Sequence, residues 1–183
     1  MSDITIRRAN LQEVAAKTIG LREYRALLAQ FVILAQETLA DNLVTIVLYG
    51  SVARGDARPE SDVDLLLVLE QASPIYCERL QVLHPILRRL RQRPCWQELA
   101  ACRLAPELNV LIFSRAEAER NRHLYLDMIE DALLLVDRGG FFEQRLQTLR
   151  RRLAELGAAK VRRNGTWYWD LKPDLKLGET VAL

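Results

Sequence analysis

The chain has 183 residues, half of them apolar and 27% charged, with 26 Lys and Arg against 24 Asp and Glu for a formal net charge of +2. That length and balance suit one globular domain, or one domain with a terminal extension, and they exclude a disordered chain or one driven to polyanions by bulk charge. Cys77, Cys95 and Cys102 form no C-x-x-C pair, His84 and His123 are too few and too far apart for a zinc site, and no apolar run reaches the length of a membrane span. With no apolar signal block at the N-terminus either, the expectation is a cytoplasmic protein with reduced thiols and no membrane partner.

In chain order, Asn10-Leu11-Gln12-Glu13 has the pattern of a capped helix start, and Gly20 interrupts that helix. Tyr24, Leu27, Leu28, Phe31, Leu34, Ala35 and Leu39 then recur at helical spacing, which predicts a long amphipathic helix ending near Asp41-Asn42. Val44 to Tyr49 reads as a strand, and so does Leu65 to Leu69, apolar on both faces like an interior strand. Ser73-Pro74 predicts a helix entry, with the helix running to about Gln92 and kinked or broken at Pro85. Leu108 to Phe113 reads as a third strand, and Ser114-Arg115-Ala116-Glu117 as a capping box. Helices are predicted over His123 to Val136 and over Phe141 to Leu156, separated by Gly139-Gly140 and stopped at Gly157. Asn164-Gly165 between Val161–Arg163 and Thr166–Trp169 predicts a hairpin, followed by an extended arm over Asp170 to Glu179. The fold class expected is α/β (α+β): a small mixed sheet flanked by helices over residues 1–120, with a helical and hairpin extension over 121–183 packed on the same domain.

The chemistry concentrates between the first two strands, from Gly50-Ser51 to Asp62-Val63-Asp64. Side chains alternate along a strand, so Asp62 and Asp64 share a face while Val63 takes the other. Two carboxylates so close repel unless a cation lies between them, and hard oxygen donors suit Mg²⁺. The Gly50-Ser51 turn, if it opens a helix, offers free backbone N–H groups to an anion. Paired carboxylates beside anion donors point to a metal–nucleoside triphosphate site; taken alone, either half is also an ordinary turn or a solvated strand entrance. Arg54 suits a phosphate or an ion pair with Asp56 or Glu60, and Ser61 is placed to support Asp62 by a hydrogen bond.

Gly50-Ser51, ten intervening residues, and Asp62-Val63-Asp64 with an apolar strand after it resemble the signature of the polymerase-beta-type nucleotidyltransferase superfamily, and within it the minimal nucleotidyltransferases. The resemblance covers about Leu43 to Leu69 and extends by element order to Phe113. It implies the nucleotidyltransferase fold and transfer of a nucleoside monophosphate, AMP from ATP, to an acceptor hydroxyl or phosphate, with one or two Mg²⁺ ions held by Asp62 and Asp64. It further implies that Gly50 and Ser51 contact the β- and γ-phosphates. Several minimal members are antitoxins that adenylylate a helical toxin, so a protein acceptor or a helical toxin-like partner is implied as well.

The superfamily carries a third carboxylate on a later strand, where this chain has Asn109. Glu107, two residues earlier and on the same face, is the alternative, as are Asp127, Glu130 and Asp131. Two functions therefore stand side by side: a Mg²⁺-dependent nucleotidyltransferase completed by Glu107 or Asn109, and a catalytically degenerate nucleotide-binding or protein-interaction module. The basic run from Arg145 to Arg163 and the aromatics Trp167, Tyr168 and Trp169 admit a nucleic-acid partner, the less favoured reading because Glu143 and Glu155 dilute the charge.

Overall fold

The computed structural model describes residues 19–163, 166–176 and 180–181. The expected helix start at Asn10-Glu13, the Asn164-Gly165 turn and positions 177–179 of the arm lie outside the described residues. The elements are α1 (Leu21–Leu39), β1 (Leu43–Tyr49), α2 (Gly50–Arg54), β2 (Val63–Leu69), α3 (Tyr76–Arg91), α4 (Pro94–Ala101) and β3 (Leu108–Ser114). They continue with α5 (Arg115–Ala118), α6 (His123–Asp131), β4 (Leu133–Asp137), α7 (Phe141–Leu156), β5 (Ala159–Arg163) and β6 (Thr166–Asp170).

Four strands form one mixed sheet in the order β3-β2-β1-β4, with β1 antiparallel to β2 and β4, and β2 parallel to β3. Alternation along each strand divides the apolar residues between two cores. Leu43, Ile46, Leu48, Val63, Leu65, Leu67, Val110 and Ile112 meet α1, α3 and α4 on one face. Val44, Val47, Leu66 and Val68 meet α6 and α7 on the other. The β5–β6 hairpin forms a separate two-stranded sheet whose Trp169 packs at the margin of this second core.

α1 starts where the Glu23 carboxylate reaches back to the Gly20 N–H at 2.9 Å. It buries Tyr24, Leu27, Leu28, Phe31, Leu34 and Ala35, the residues its periodicity assigns to one face. Each fully buried large side chain on that face contributes about 1.5–3 kcal/mol over leaving it exposed. In its first turn α3 anchors through Arg79, which is 9% exposed. The guanidinium donates to both oxygens of Glu117, at 2.7 and 2.9 Å, to the Ile112 carbonyl at 3.1 Å and to the Ser73 carbonyl. Hydrogen bonds from Arg79 and the capping-box N–H of Ser114 hold the Glu117 carboxyl down at about 2 against partial burial.

The structure corrects three local expectations. The helix expected over His123 to Val136 ends at Asp131, and Leu133–Asp137 is the edge strand β4. Leu133-Leu134-Leu135-Val136 carries no polar residue to mark a period, so a helix and a strand buried on both faces read alike there. Pairing with β1 decides it, because Leu133 and Leu135 enter one core and Leu134 reaches the other. Ser73-Pro74 precedes α3 instead of opening it: the Ser73 hydroxyl accepts the Ile75 N–H at 3.1 Å, and the helix begins at Tyr76. Pro85 does not break α3, which continues to Arg91 with Leu83, Ile86 and Leu90 buried on either side of the ring. The short helix α4, opened by Pro94, was not anticipated.

Candidate functional site

β1 ends at Tyr49, and the chain turns at once into α2 through Gly50 at φ +75°, a left-handed conformation that glycine adopts without strain. α2 lasts five residues and closes at Gly55, φ +81°. A Cβ on Gly50 would overlap Asp64 Oδ2 and stand 3.1 Å from its Cγ, so the motif glycine is the floor on which the carboxylate rests. Asp64 is the register partner of Tyr49 on one side and of Asn109 on the other. Across the parallel pair, Asn109 Nδ2 donates to Asp64 Oδ1 at 2.9 Å.

Asp62, one residue before β2, is exposed, and Glu107, one residue before β3, is exposed as well. The Glu107 carbonyl accepts the Val63 N–H at 2.9 Å, which draws the two strand entrances together. Tyr24 of α1 stands behind them, donating its hydroxyl to the Ala105 carbonyl at 3.0 Å. Burial pushes that phenol up, and the Glu107 and Asp62 carboxylates push it further, so both charges are felt at the same hydroxyl. Tyr49 is driven up to about 12, first by burial and then by Asp64, and its phenol stays neutral.

The remaining motif residues turn to the loop itself. Ser61 Oγ accepts the Arg58 N–H at 2.9 Å, and Arg54 Nε donates to Asp56 at 3.2 Å. The loop is also tied to α1: Ala57 pairs with Ile19, and the Gly20 position approaches so closely that an added Cβ would lie 2.9 Å from the Gly55 Cα. Gly20, read from sequence as a helix interruption, thus marks a close backbone approach that supports the loop. Tyr24 and Tyr49 were read only as apolar positions; nothing in their spacing reports that they flank carboxylates.

Of the alternative acids on α6, Glu130 pairs with Lys160 of β5. Asp131 at the helix end is raised by burial and by Glu130, with Arg54 and Lys160 opposing. Among the described residues, no group of three or more His, Cys, Asp or Glu side chains is placed to hold a metal ion, and no helix is long and apolar enough to cross a membrane. The basic run is largely engaged within the molecule. Arg145 donates to Asn121 at 2.8 Å, Arg150 to the Ile129 carbonyl at 2.9 Å, and Arg162 lies over the Trp167 ring at 5.7 Å.

The Gly50-Ser51 turn, the acids at the mouth of β2 and the mixed sheet agree with a comparison of the whole chain. The family model of the nucleotidyltransferase domain matches residues 33–137, more than half of the sequence. The chain belongs to the nucleotidyltransferase domain family. The matched span runs from the middle of α1 to the end of β4 and so includes all four strands of the main sheet.

No curated protein matches this nucleotidyltransferase chain. Among solved structures, it is similar to a chain of a toxin–antitoxin complex crystallised with AMP-PNP, with 13% identity, TM-score 0.44, and coverage of 71% of this chain and 92% of that one. It is also similar to a chain of the MntA–HepT toxin–antitoxin complex, with 12% identity, TM-score 0.40, and coverage of 73% and 92%. A third is a chain of the complex of tri-AMPylated Shewanella oneidensis HEPN toxin with MNT antitoxin, with 12% identity, TM-score 0.39 and coverage of 73% and 92%.

Proposed function

We propose that this nucleotidyltransferase domain is a Mg²⁺-dependent enzyme that transfers AMP from ATP to an acceptor hydroxyl on a partner protein, in the cytoplasm. The observation that carries the reading is the seating of Asp64. Its carboxylate lies against the Gly50 backbone at the point where α2 begins, with Asp62 two residues away on the approach to β2. A triphosphate and a pair of acids are then served by one turn.

The donor set fits a hard cation: Asp62 and Asp64 present carboxylate oxygens at a strand mouth open to solvent, and phosphate oxygens and water complete such a shell. When bound, Mg²⁺ would supply charge neutralisation between the carboxylates and the phosphates and stabilise the leaving pyrophosphate. The first N–H groups of α2 have no partner within the helix, so Gly50 and Ser51 are assigned to the phosphates, with the Ser51 hydroxyl as a further donor. Because α2 is so short, individual N–H groups and not a helix dipole do this work. Arg54 is held by Asp56 at the end of α2, where its charge adds to the field around the phosphates. Ser61 keeps the 58–61 turn closed and thereby sets the direction in which Asp62 leaves it.

The test is nucleotide transfer from α-labelled ATP in the presence of Mg²⁺ and of lysate from the source organism. Asp62→Asn and Asp64→Asn are each expected to lower labelling by about 10²–10³-fold, the usual loss when a preorganised charge is removed from a transition state. Labelling that survives both substitutions would sink the assignment. A second reading has its own observation: Asn109, and not an acid, faces Asp64, which favours a module that binds nucleotide without turning it over. Nucleotide binding with no labelled product under any acceptor would select that reading.

A further inference from the structure

We propose that Asn109 restricts the site to a single divalent cation and serves as the positioning residue for Asp64; the proposal rests on Asp62 and Asp64 being the cation ligands. An ionised carboxylate can only accept hydrogen bonds, so an amide facing it must turn its nitrogen inward. That is the arrangement here, with Asn109 Nδ2 donating to Asp64 Oδ1 at 2.9 Å. The amide oxygen, the one atom of Asn109 able to ligate a cation, is the other branch of the same planar group and is directed away from Oδ1. Asp64 Oδ2 meanwhile stands over Gly50. One carboxylate oxygen is thus committed to the neighbouring strand, and the other faces the turn assigned to the phosphates.

Two cations held about 3.5–4 Å apart share bridging carboxylates and need a further anionic donor for the second ion. Asn109 is the register partner of Asp64 on β3, the strand that adjoins β2 on that side, and it is neutral. Among the described residues no third His, Cys, Asp or Glu joins the pair in a group able to hold a metal. Asp62 and Asp64 are the two carboxylate donors the chain offers there, and phosphate oxygens and water complete the shell of one divalent ion. The parallel register therefore places an uncharged donor where a second ion would require an acid.

The experiment counts protein-bound Mn²⁺ per bound α,β-methylene-ATP by equilibrium dialysis and reads the EPR spectrum of the same complex. The wild-type chain is expected to bind one Mn²⁺ per nucleotide with an uncoupled spectrum. Asn109→Asp is expected to bind two with spin coupling between them, and to unfold at a lower temperature than wild type without cation, recovering when Mn²⁺ is added. Asn109→Ala, which introduces no repulsion, should keep a count of one with about 10-fold weaker binding, as for loss of a group that orients a metal ligand. Two coupled ions in the wild type, or a count that stays at one in a folded Asn109→Asp, would overturn the proposal. No nucleotide-dependent Mn²⁺ binding to the wild type at all would overturn the assignment of Asp62 and Asp64 itself.

Discussion

At the scale of single residues, the contact between Gly50 and Asp64 couples backbone conformation to chemistry. Gly50 sits at φ +75° with the carboxylate against its Cα. Gly50→Ala therefore carries two penalties: left-handed strain of about 1–2 kcal/mol, and displacement of Asp64 by the new methyl group. The expected outcome is a folded protein with a lowered melting temperature that has lost at least about 10-fold in cation-dependent nucleotide affinity. A binding isotherm alongside a thermal melt checks both. Gly55, also at positive φ but with open space where a Cβ would stand, should show only the strain when changed to Ala. This part of the candidate site is legible in the sequence, because Gly50-Ser51 and Asp62-Val63-Asp64 are close in the chain and their spacing alone sets a strand, a turn and a strand. Asn109 was legible as an oddity but not as a contact. Its bond to Asp64 spans 45 residues and exists only through the register of β2 on β3.

At the scale of elements, two polar clusters join elements of the fold. The Asp137 carboxylate accepts the Phe142 and Glu143 N–H groups, both at 2.9 Å, and the hydroxyl of fully buried Thr45, also at 2.9 Å. It caps α7 from the end of β4 across the Gly139-Gly140 turn. Asp137→Ala removes a helix cap, about 0.5–2 kcal/mol, and orphans a buried hydroxyl, about 1–3 kcal/mol. The denaturant midpoint should fall accordingly with little change in slope. The second cluster joins α3 to α5 through Arg79 and Glu117. Glu117 has its carboxyl lowered from 4.5 to about 2 in the folded state. A depressed carboxylate stabilises the fold above its unfolded value and loses that contribution as pH falls through the folded one. The stability difference between wild type and Glu117→Gln is thus expected to be full above pH 4.5 and to vanish as pH falls toward about 2. Arg79→Ala, which breaks this half-buried pair and leaves Glu117 partly solvated, should cost about 1–3 kcal/mol at neutral pH. Chemical denaturation across pH reads both.

At the scale of the whole molecule, the sheet is covered on one face by α1, α3 and α4 and on the other by α6 and α7. The second cover and the edge strand β4 all come from beyond residue 120. A fragment of residues 1–120 is therefore expected to expose Val44, Val47, Leu66 and Val68 and to aggregate or remain loosely folded. A chain ending at Gly157, which retains α7 and loses the hairpin and the arm after it, should unfold cooperatively. Size-exclusion chromatography and near-UV circular dichroism separate the two outcomes. Elements whose pattern is local and periodic follow from the amino-acid order alone. α1 and α7 follow from 3.6-residue spacing, β1 and β2 from apolar runs beside a glycine turn, and the acid pair from its place at the mouth of β2. The same order places Asn109 where an acid was expected. Contacts between distant segments make Leu133 to Asp137 a strand, bring Tyr24 and Tyr49 beside the carboxylates, and set Asn109 against Asp64. The physical reason is the same in each case: a run of leucines has no period until a partner strand supplies one, and a hydrogen bond between distant side chains has no existence until the register between their strands is set.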